Sequence, residues 1–581
     1  MPAESNSRFT TTQWLIIIIA SIGFLFDTYE LLMTPLVGVP AIAELLQVPA
    51  NNPLVTQWMG NMLWLSALCG GVFGLLGGWL IDRFGRKRIM IASILVYSLS
   101  PVAAAFSTSL PMFIFLRCTT FIGVCVEFVA AITWLAELFP QKRRKEIVLG
   151  STQAFASLGG LLVTGISAWI VAHANSLPAL PLPDIFNSHA TWRYTLMTGL
   201  IPAIPIALLL PFVPESQIWK EKRQAGTLKR PSFGELFAPQ LRRVTIITAL
   251  LSACAYAAAF GALQLTPLRI APGLPELAEQ RKALKPLQDE ARVLNTNLTA
   301  VLPAFQQAMA DVPGLDVLAA QRARTRVAMR AAKKVVDDPN ADESRKAVAK
   351  TQLAGLVTRF SQFDTNLTEL TQAKPEAKKA VIDREKILKQ LGDNRDQQEP
   401  FDVAVKNRGN AMQGAQETGG LVGRIILAVL LVTAIGRRSL LRIFLIPGLV
   451  MFPVTYWLLY KHSAVEMQWG IFACGMLVVA QFSYFGEYLP RVFPLHLRGT
   501  GGSFATNVGG RMIGTSAAFL TANWIAPMIG AKSTFDQVAV AAGIVGTTVF
   551  VIALALSFLL PEPKAEAVET EAQPKSAVAG R

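Results

Sequence analysis

The sequence predicts an all-α membrane protein: twelve transmembrane helices in two six-helix bundles, plus an extracytoplasmic insertion that is helical or coiled-coil. Three observations carry this. Of 581 residues, 52% are hydrophobic and only 16% charged, against roughly 25% charged in soluble globular proteins. The deficit excludes a disordered chain and argues against a soluble enzyme of this size. Twelve apolar runs approach the length of about 20 residues that a helix needs to cross a bilayer. Landmarks of the first six runs recur, in order, in the last six.

In chain order the runs are Trp14 to Leu36, Gln57 to Ile81, Ile89 to Phe106, Pro111 to Leu138, Glu146 to Ala172, Trp192 to Phe212, Val244 to Leu265, Thr418 to Ile435, Leu441 to Leu459, Trp469 to Leu489, Ser503 to Ile525 and Val538 to Leu560. The first is no cleavable signal peptide: it is long, carries Asp27 and Glu30, and lacks a small-residue cleavage pattern. The implied domains are 1–219, a six-helix bundle; 220–243, a linker; 244–268, span seven; 269–416, the insertion; 417–562, spans eight to twelve; and 563–581, a disordered tail.

Charge gives the orientation. Lys and Arg number 54 against 39 Asp and Glu, a formal charge of +15. The excess gathers in alternate connections: Asp82 to Arg88, Gln141 to Lys145, Lys220 to Arg243, Gly436 to Arg442 and Arg491 to Arg498. The connections between them are poor in Lys and Arg, and Asn175 to Thr191 has neither. The positive-inside rule therefore places the basic loops, linker, tail and both termini in the cytoplasm. An integral multi-pass protein of a bacterial inner membrane is expected, with the bilayer and not nucleic acid as the partner of its positive charge. Cys69, Cys118, Cys125, Cys254 and Cys474 lie in apolar runs with no C-x-x-C pair and no companion histidines, so no metal site is expected. No phosphate-binding G-x-x-x-x-G-K-[ST] loop occurs, which speaks against ATP as a driver, and no cofactor is implied.

One connection breaks the pattern. Residues 269–416 carry 24 Lys and Arg against 19 Asp and Glu and are rich in helix formers. Leu353, Leu356, Phe360, Phe363, Leu367 and Leu370 follow a 3-4 spacing, and Leu277, Leu284, Leu287, Leu294, Leu298 and Val301 nearly do, as in the seam of a coiled coil or small bundle. Thr-Asn-Leu-Thr occurs at Thr296 to Thr299 and again at Thr365 to Thr368, a hint of a duplicated hairpin. Pro303, Pro313, Pro339 and Pro375 are expected to separate its helices. Topology puts this segment outside the cytoplasm, as an appendage that is structural, binds a protein partner or captures a small molecule.

The repeat is specific. Gly70-Gly71-x-x-Gly74 leading to Gly85-Arg86-Lys87 corresponds to Gly419-Gly420-x-x-Gly423 leading to Gly436-Arg437-Arg438; Pro140-x-x-x-Arg144 to Pro494-x-x-x-Arg498; and Pro214-Glu215 to Pro561-Glu562. The stretch Gly78-Trp-Leu-Ile-Asp82-Arg83-Phe-Gly85-Arg86-Lys87-Arg88 resembles the G-x-L-x-D-R-x-G-R-K/R loop of the major facilitator superfamily. With Arg117, Glu137-x-x-Pro140-x-x-x-Arg144, Trp192-Arg193 and Pro214-Glu215-Ser216, it resembles the sugar-porter and related organic-solute branches. Three departures stand out. Thr433 replaces Asp82 in the second half, Arg491 replaces Glu137, and span seven lacks the Gln-Gln signature of sugar porters.

The resemblance implies alternating access in two rocking bundles, moving a small polar organic solute, a sugar or an organic acid, with proton symport. A uniporter or antiporter of the same fold, and a non-transporting sensor or scaffold using the outer domain, are the alternatives. It also implies a conformational latch at Gly78, Asp82, Arg83, Gly85, Arg86, Glu137, Arg144, Glu215, Arg437 and Arg498. Gly70, Gly74 and Gly78 share one helical face, a small-residue stripe that lets another helix approach.

Ionisable residues at membrane depth are functional candidates because each is costly there unless paired or hydrated. At 1.5 Å per residue, Asp27 and Arg117 lie roughly 14 and 9 Å below the outer ends of spans one and four. The resemblance makes them the proton-coupling pair. Glu30 sits one turn from Asp27, and Glu127 near the midplane is a second proton carrier, a solute contact or a static partner for Arg424 or Arg511. Those two arginines either bind a carboxylate solute or pair internally, Arg511 with Glu487. Gln153, Gln264, Gln481, Tyr484 and Asn507 complete the solute-binding candidates.

Overall fold

The computed structural model describes residues 10–46, 48, 53–139, 141, 144, 148–149, 151–152, 155–173, 177–178, 180–182, 186, 189–201, 204–205, 208, 212, 214–226, 232–337, 341–433, 435–531 and 533–563. Apolar composition with the polar backbone satisfied inside each segment leaves helices as the way to build the chain, and the described residues contain helices and no strands. Nine of these helices are long and apolar enough to cross a membrane.

Nine of the twelve expected runs map onto them; spans five, six and eleven appear as shorter or irregular segments. Span one is Thr11–Leu46, span two Pro53–Phe84, span three Arg86–Ala105 and span four Leu110–Leu138. Span five appears as Ala156–His173 and span six opens with Thr191–Met197; much of the rest of the run expected there lies outside the described residues. Span seven is Arg242–Gly261, span eight the last part of Pro375–Leu431, span nine begins as Arg437–Pro453, span ten is Ala464–Val492 and span twelve Thr534–Ser557. Span eleven is irregular: Arg498–Ser503 passes into a π-helical stretch, Phe504–Gly514, and a second at Thr521–Ile525. The tail from 564 lies outside the described residues.

Two compact units form. One comprises Met1–Glu276 with Asn407–Arg581, the other Leu277–Lys406. The expected insertion limits of 269 and 416 move inward because Ile270, Ala271, Leu274 and Met412 are fully buried in the core of the first unit. Inside that unit the apolar cores follow the repeat. One draws on Leu236 through Leu560; the main cores of the other half draw on Ile16 through Leu196. The halves thus pack as separate bundles, which meet where spans two and four touch span eleven, where span four touches span ten and where span five approaches span eight.

The second unit contains helices Ala278–Asp311, Leu315–Asp337 and Glu343–Leu370 and the first part of Pro375–Leu431. Its core joins Ala308, Val312, Leu315 and Leu318 to Phe363, Leu367, Ala377, Ala380 and Val381. The 3-4 spacing thus marks an inward face only in part: Phe363 and Leu367 are buried, whereas Leu370 is exposed. Pro303 is a correction: it lies inside Ala278–Asp311 with Pro286, instead of ending a helix. Pro313 does fall in a turn and Pro375 opens a helix; Pro339 is outside the described residues. Arg322 is buried between helices, paired with Glu385 at 2.9 Å and with Asp364, and stacked over Phe360 at 4.6 Å.

Candidate functional site

Two groups of buried charge stand out in the first unit. The first lies where spans two and three meet. Gly85 turns the chain with φ of +107°, a conformation that side chains resist, and this frees the first turn of span three to meet Glu215. That carboxylate accepts from the backbone N–H of Arg86 at 3.2 Å and of Lys87 at 3.1 Å, satisfying two donors that a helix start leaves open. The Arg86 side chain, fully buried, donates through Nε and Nη2 to Glu137 at 3.0 and 2.9 Å and through Nη1 to the Ile81 carbonyl at 3.2 Å, and its Nη2 lies 3.3 Å from Asp82. Asp82 accepts from the N–H groups of Gly499 and Thr500 at 3.1 and 2.8 Å and from the Thr500 hydroxyl at 2.8 Å. Asp82 thus joins the bundles.

Gly74 and Gly78 of the expected stripe continue the join together with Gly71, whereas Gly70 faces Phe121 and Cys125 of span four in its own bundle. A Cβ at Gly71 would meet Met512, one at Gly74 would meet Asn507, and one at Gly78 would lie 2.5 Å from Ser503 and 2.6 Å from the Gly499 carbonyl. Asn507 donates to the Cys125 carbonyl at 3.1 Å, so span eleven also touches span four.

The second half copies this design with one omission. Glu562 accepts from the N–H of Arg437 at 3.1 Å and of Arg438 at 2.9 Å, as Glu215 does from Arg86 and Lys87. Arg437 pairs with Glu487 at 3.2 Å, as Arg86 does with Glu137. The acid aligned to Glu137 by the proline spacing is absent, but Glu487, one turn earlier than Arg491, supplies it and also pairs with Arg491. Glu487 is therefore engaged by these two arginines, not by Arg511. Thr433, where Asp82 would be, is exposed and bonds only locally, to the Leu430 carbonyl at 2.5 Å. Arg83 is exposed beside Trp79, Arg144 is half-buried, and Arg498 opens the short helix that receives Asp82.

The second group lies inside the helices. Asp27, Glu30 and Glu127 are buried, and both carboxyl oxygens of Asp27 and Glu30 and Oε2 of Glu127 have no hydrogen-bond donor among the described residues. The structure does not bring Asp27 to Arg117. Arg117 donates instead to the Glu30 carbonyl at 3.3 Å and to the Thr34 hydroxyl at 2.5 Å, and its electrostatic neighbour is the Glu30 carboxyl. One helical turn separates the two choices. Asp27 faces Glu127, and Arg511 reaches both from span eleven.

Of the solute-binding candidates, Asn507 and Arg511 join this group, Arg511 donating to Asn507 Oδ1 at 3.2 Å and lying over Phe128 at 5.3 Å. Arg424 is buried beside Glu417 of the same helix, which accepts from Gln413 at 2.9 Å and Gln416 at 3.2 Å. Gln481 bonds back to the Leu477 carbonyl at 3.1 Å, and Gln264 is half-buried. Tyr484 stacks on Tyr488 at 5.5 Å, next to Glu487 and Arg437. Gln153 lies outside the described residues. Three residues went unnoticed in the sequence. Tyr97 is buried among Asp27, Glu30 and Glu127, its hydroxyl without a hydrogen-bond partner among the described residues; Tyr256 neighbours both Arg424 and Arg511; and Glu417 pairs with Arg424. Glu417 was legible as an acid seven residues before Arg424 on one face.

Residues 10–281 match the sequence profile of the Major Facilitator Superfamily. The chain is 30% identical over 246 residues to a cis,cis-muconate transport protein of Acinetobacter baylyi, covering 41% of this chain and 54% of that one. It is 25% identical over 207 residues to an arabinose-proton symporter of Bacillus subtilis, covering 36% of this chain and 38% of the other. These matches span about half or less of each relative's length. In three dimensions the chain is similar to the proton:xylose symporter XylE bound to 6-bromo-6-deoxy-D-glucose, with a TM-score of 0.53 and 16% identity over 94% of this chain and 96% of that one.

Proposed function

Taking the chain as a protein with the Major Facilitator Superfamily fold, we propose that it is a secondary active transporter that moves a small polar organic solute, a sugar or an organic acid, by alternating access coupled to protons. The observation that carries the coupling is the set of acids inside the helices whose oxygens have no hydrogen-bond donor among the described residues. Buried acids without partners are rare in structures and need an explanation. Inside a membrane the usual one is a proton or solute pathway. Asp27 and Glu127 are the proton carriers in this reading, and Glu30 with Arg117 is a neighbouring charge pair.

The orientation belongs to the same reading. With the basic loops and both termini in the cytoplasm of a bacterial inner membrane, the contacts of Asp82 with Gly499 and Thr500 close the cytoplasmic side. Opening there requires Asp82 and the span-two glycines to release span eleven. The second unit then lies outside the cytoplasm, where it is free to meet a protein partner.

Reconstitution into proteoliposomes tests the proposal. Uptake of at least one sugar or organic acid should rise when the lumen is made alkaline relative to the medium, and should collapse with a protonophore. Uptake indifferent to the gradient points to a uniporter, and no flux across a broad panel contradicts transport.

A further inference from the structure

We propose that Arg511 is the counter-cation of the proton site, a positioning residue brought by the second bundle that stands in for a proton on the Asp27 and Glu127 carboxyls and leaves them when the bundles part. The inference rests on the proton-coupled reading above.

Geometry places Arg511 at the seam between bundles. It belongs to the π-helical part of span eleven and is buried. Asn507, one turn away, accepts from its Nη1 at 3.2 Å while donating to the Cys125 carbonyl of span four at 3.1 Å. The guanidinium lies over Phe128, also of span four, at 5.3 Å. The groups facing it are Asp27 from span one, Glu127 and the Cys125 thiol from span four, and Tyr256 from span seven. Tyr97 of span three faces the two acids. Glu30 lies farther along span one beside Arg117, and Glu417 beside Arg424.

Charge balance gives the consequence. The other two acids each have an arginine neighbour. Asp27 and Glu127 share one, so with Arg511 in place a single proton makes the trio neutral. Movement of span eleven away from span four carries Arg511 off, because its anchor Asn507 moves with it. The two carboxyls then need a second proton for neutrality, taken from the side to which the site opens and released when Arg511 returns. Rigid-body motion of one bundle is thereby tied to binding of one proton in the other, without any contact between the solute and the acids.

The test is the pH profile of solute counterflow by the full-length protein in proteoliposomes. Arg511→Gln should leave the closed site one proton short, so activity persists only at lower pH; loss of a neighbouring opposite charge shifts a carboxyl's midpoint by about one unit or more. Arg511→Lys should keep the wild-type profile. Glu127→Gln added to Arg511→Gln should move the profile back towards wild type, since one acid and one proton are again neutral. Glu127→Gln alone should extend activity to higher pH, and it stands as the decisive variant if Arg511→Gln fails to fold. A wild-type midpoint in Arg511→Gln, a loss equal at every pH that Glu127→Gln does not relieve, or an unchanged profile in Glu127→Gln overturns the proposal while leaving transport intact. Absence of flux in the wild type overturns the transport reading itself, and this inference with it.

Discussion

The two groups of buried charge in the membrane unit are built in opposite ways. At the end where spans two and three meet, Arg86 is shared by Glu137, Asp82 and two carbonyls, Asp82 takes three donors from span eleven, and Glu215 takes the open N–H groups of span three. Inside the helices, Asp27 and Glu30 have no donor to either oxygen, and Arg117 no acceptor for Nε and Nη1, among the described residues. A buried charge with all its bonds made fixes geometry, and one without them stores free energy that a proton, a solute or a movement can release. The first group holds a shape; the second is available for work.

Substitutions can break or sharpen that contrast, beginning with the largest effect. Arg86→Ala should cost about 3–5 kcal/mol, the range for removing one partner of a buried ion pair, because Glu137 and Asp82 are left facing each other; thermal unfolding of the detergent-solubilised protein followed by tryptophan fluorescence measures it. Gly85→Ala should cost about 1–3 kcal/mol in the same assay, from the positive φ and from a Cβ placed 2.7 Å from Glu215 Oε2. Asp27→Asn should change stability by less than about 1 kcal/mol, or raise it, as expected where function keeps a costly group. Equal losses for Arg86→Ala and Asp27→Asn would erase the distinction.

The smallest effects lie outside both groups. Thr433→Ala should fall within about 0.5 kcal/mol, as for an exposed position, whereas its counterpart Asp82 ties two bundles. In the second unit, Asp396 is partly buried, but its bonds to Lys334 at 3.0 Å and Arg330 at 2.5 Å outweigh burial and hold its carboxyl below the usual range. A carboxyl lowered in the folded state stabilises above its unfolded pKa, and that contribution disappears as pH falls through the folded value. Hydrogen-exchange protection of Leu315–Asp337 in the intact chain, taken relative to the intrinsic amide rate at each pH, should therefore fall on acidification below the ordinary carboxylate range, and Asp396→Asn should lessen that dependence.

How much of this was legible follows from range. Spans, repeat and motif loops are local patterns, so hydropathy, Gly85 and the pairs Pro214-Glu215 and Pro561-Glu562 located them in the sequence. Partners within the membrane are set by helix rotation, which composition does not encode. Asp27 and Glu30 are three residues apart, and which one meets Arg117 depends on how span one turns; the structure gives Glu30. Glu487 was hidden because proline spacing aligned Glu137 with Arg491, while the helix places the working acid one turn earlier. The irregular path of span eleven, which aims Arg511 at span four, has no sequence marker beyond its glycines.

The central claim is that Asp27 and Glu127 carry protons and that the acids around Arg86 do not. The most direct measurement is Asp27→Asn in proteoliposomes, with counterflow and gradient-driven accumulation followed in the same preparation. The account predicts that counterflow persists while accumulation against the solute gradient is lost. Accumulation at the wild-type level would contradict it, because the proton would then be carried elsewhere.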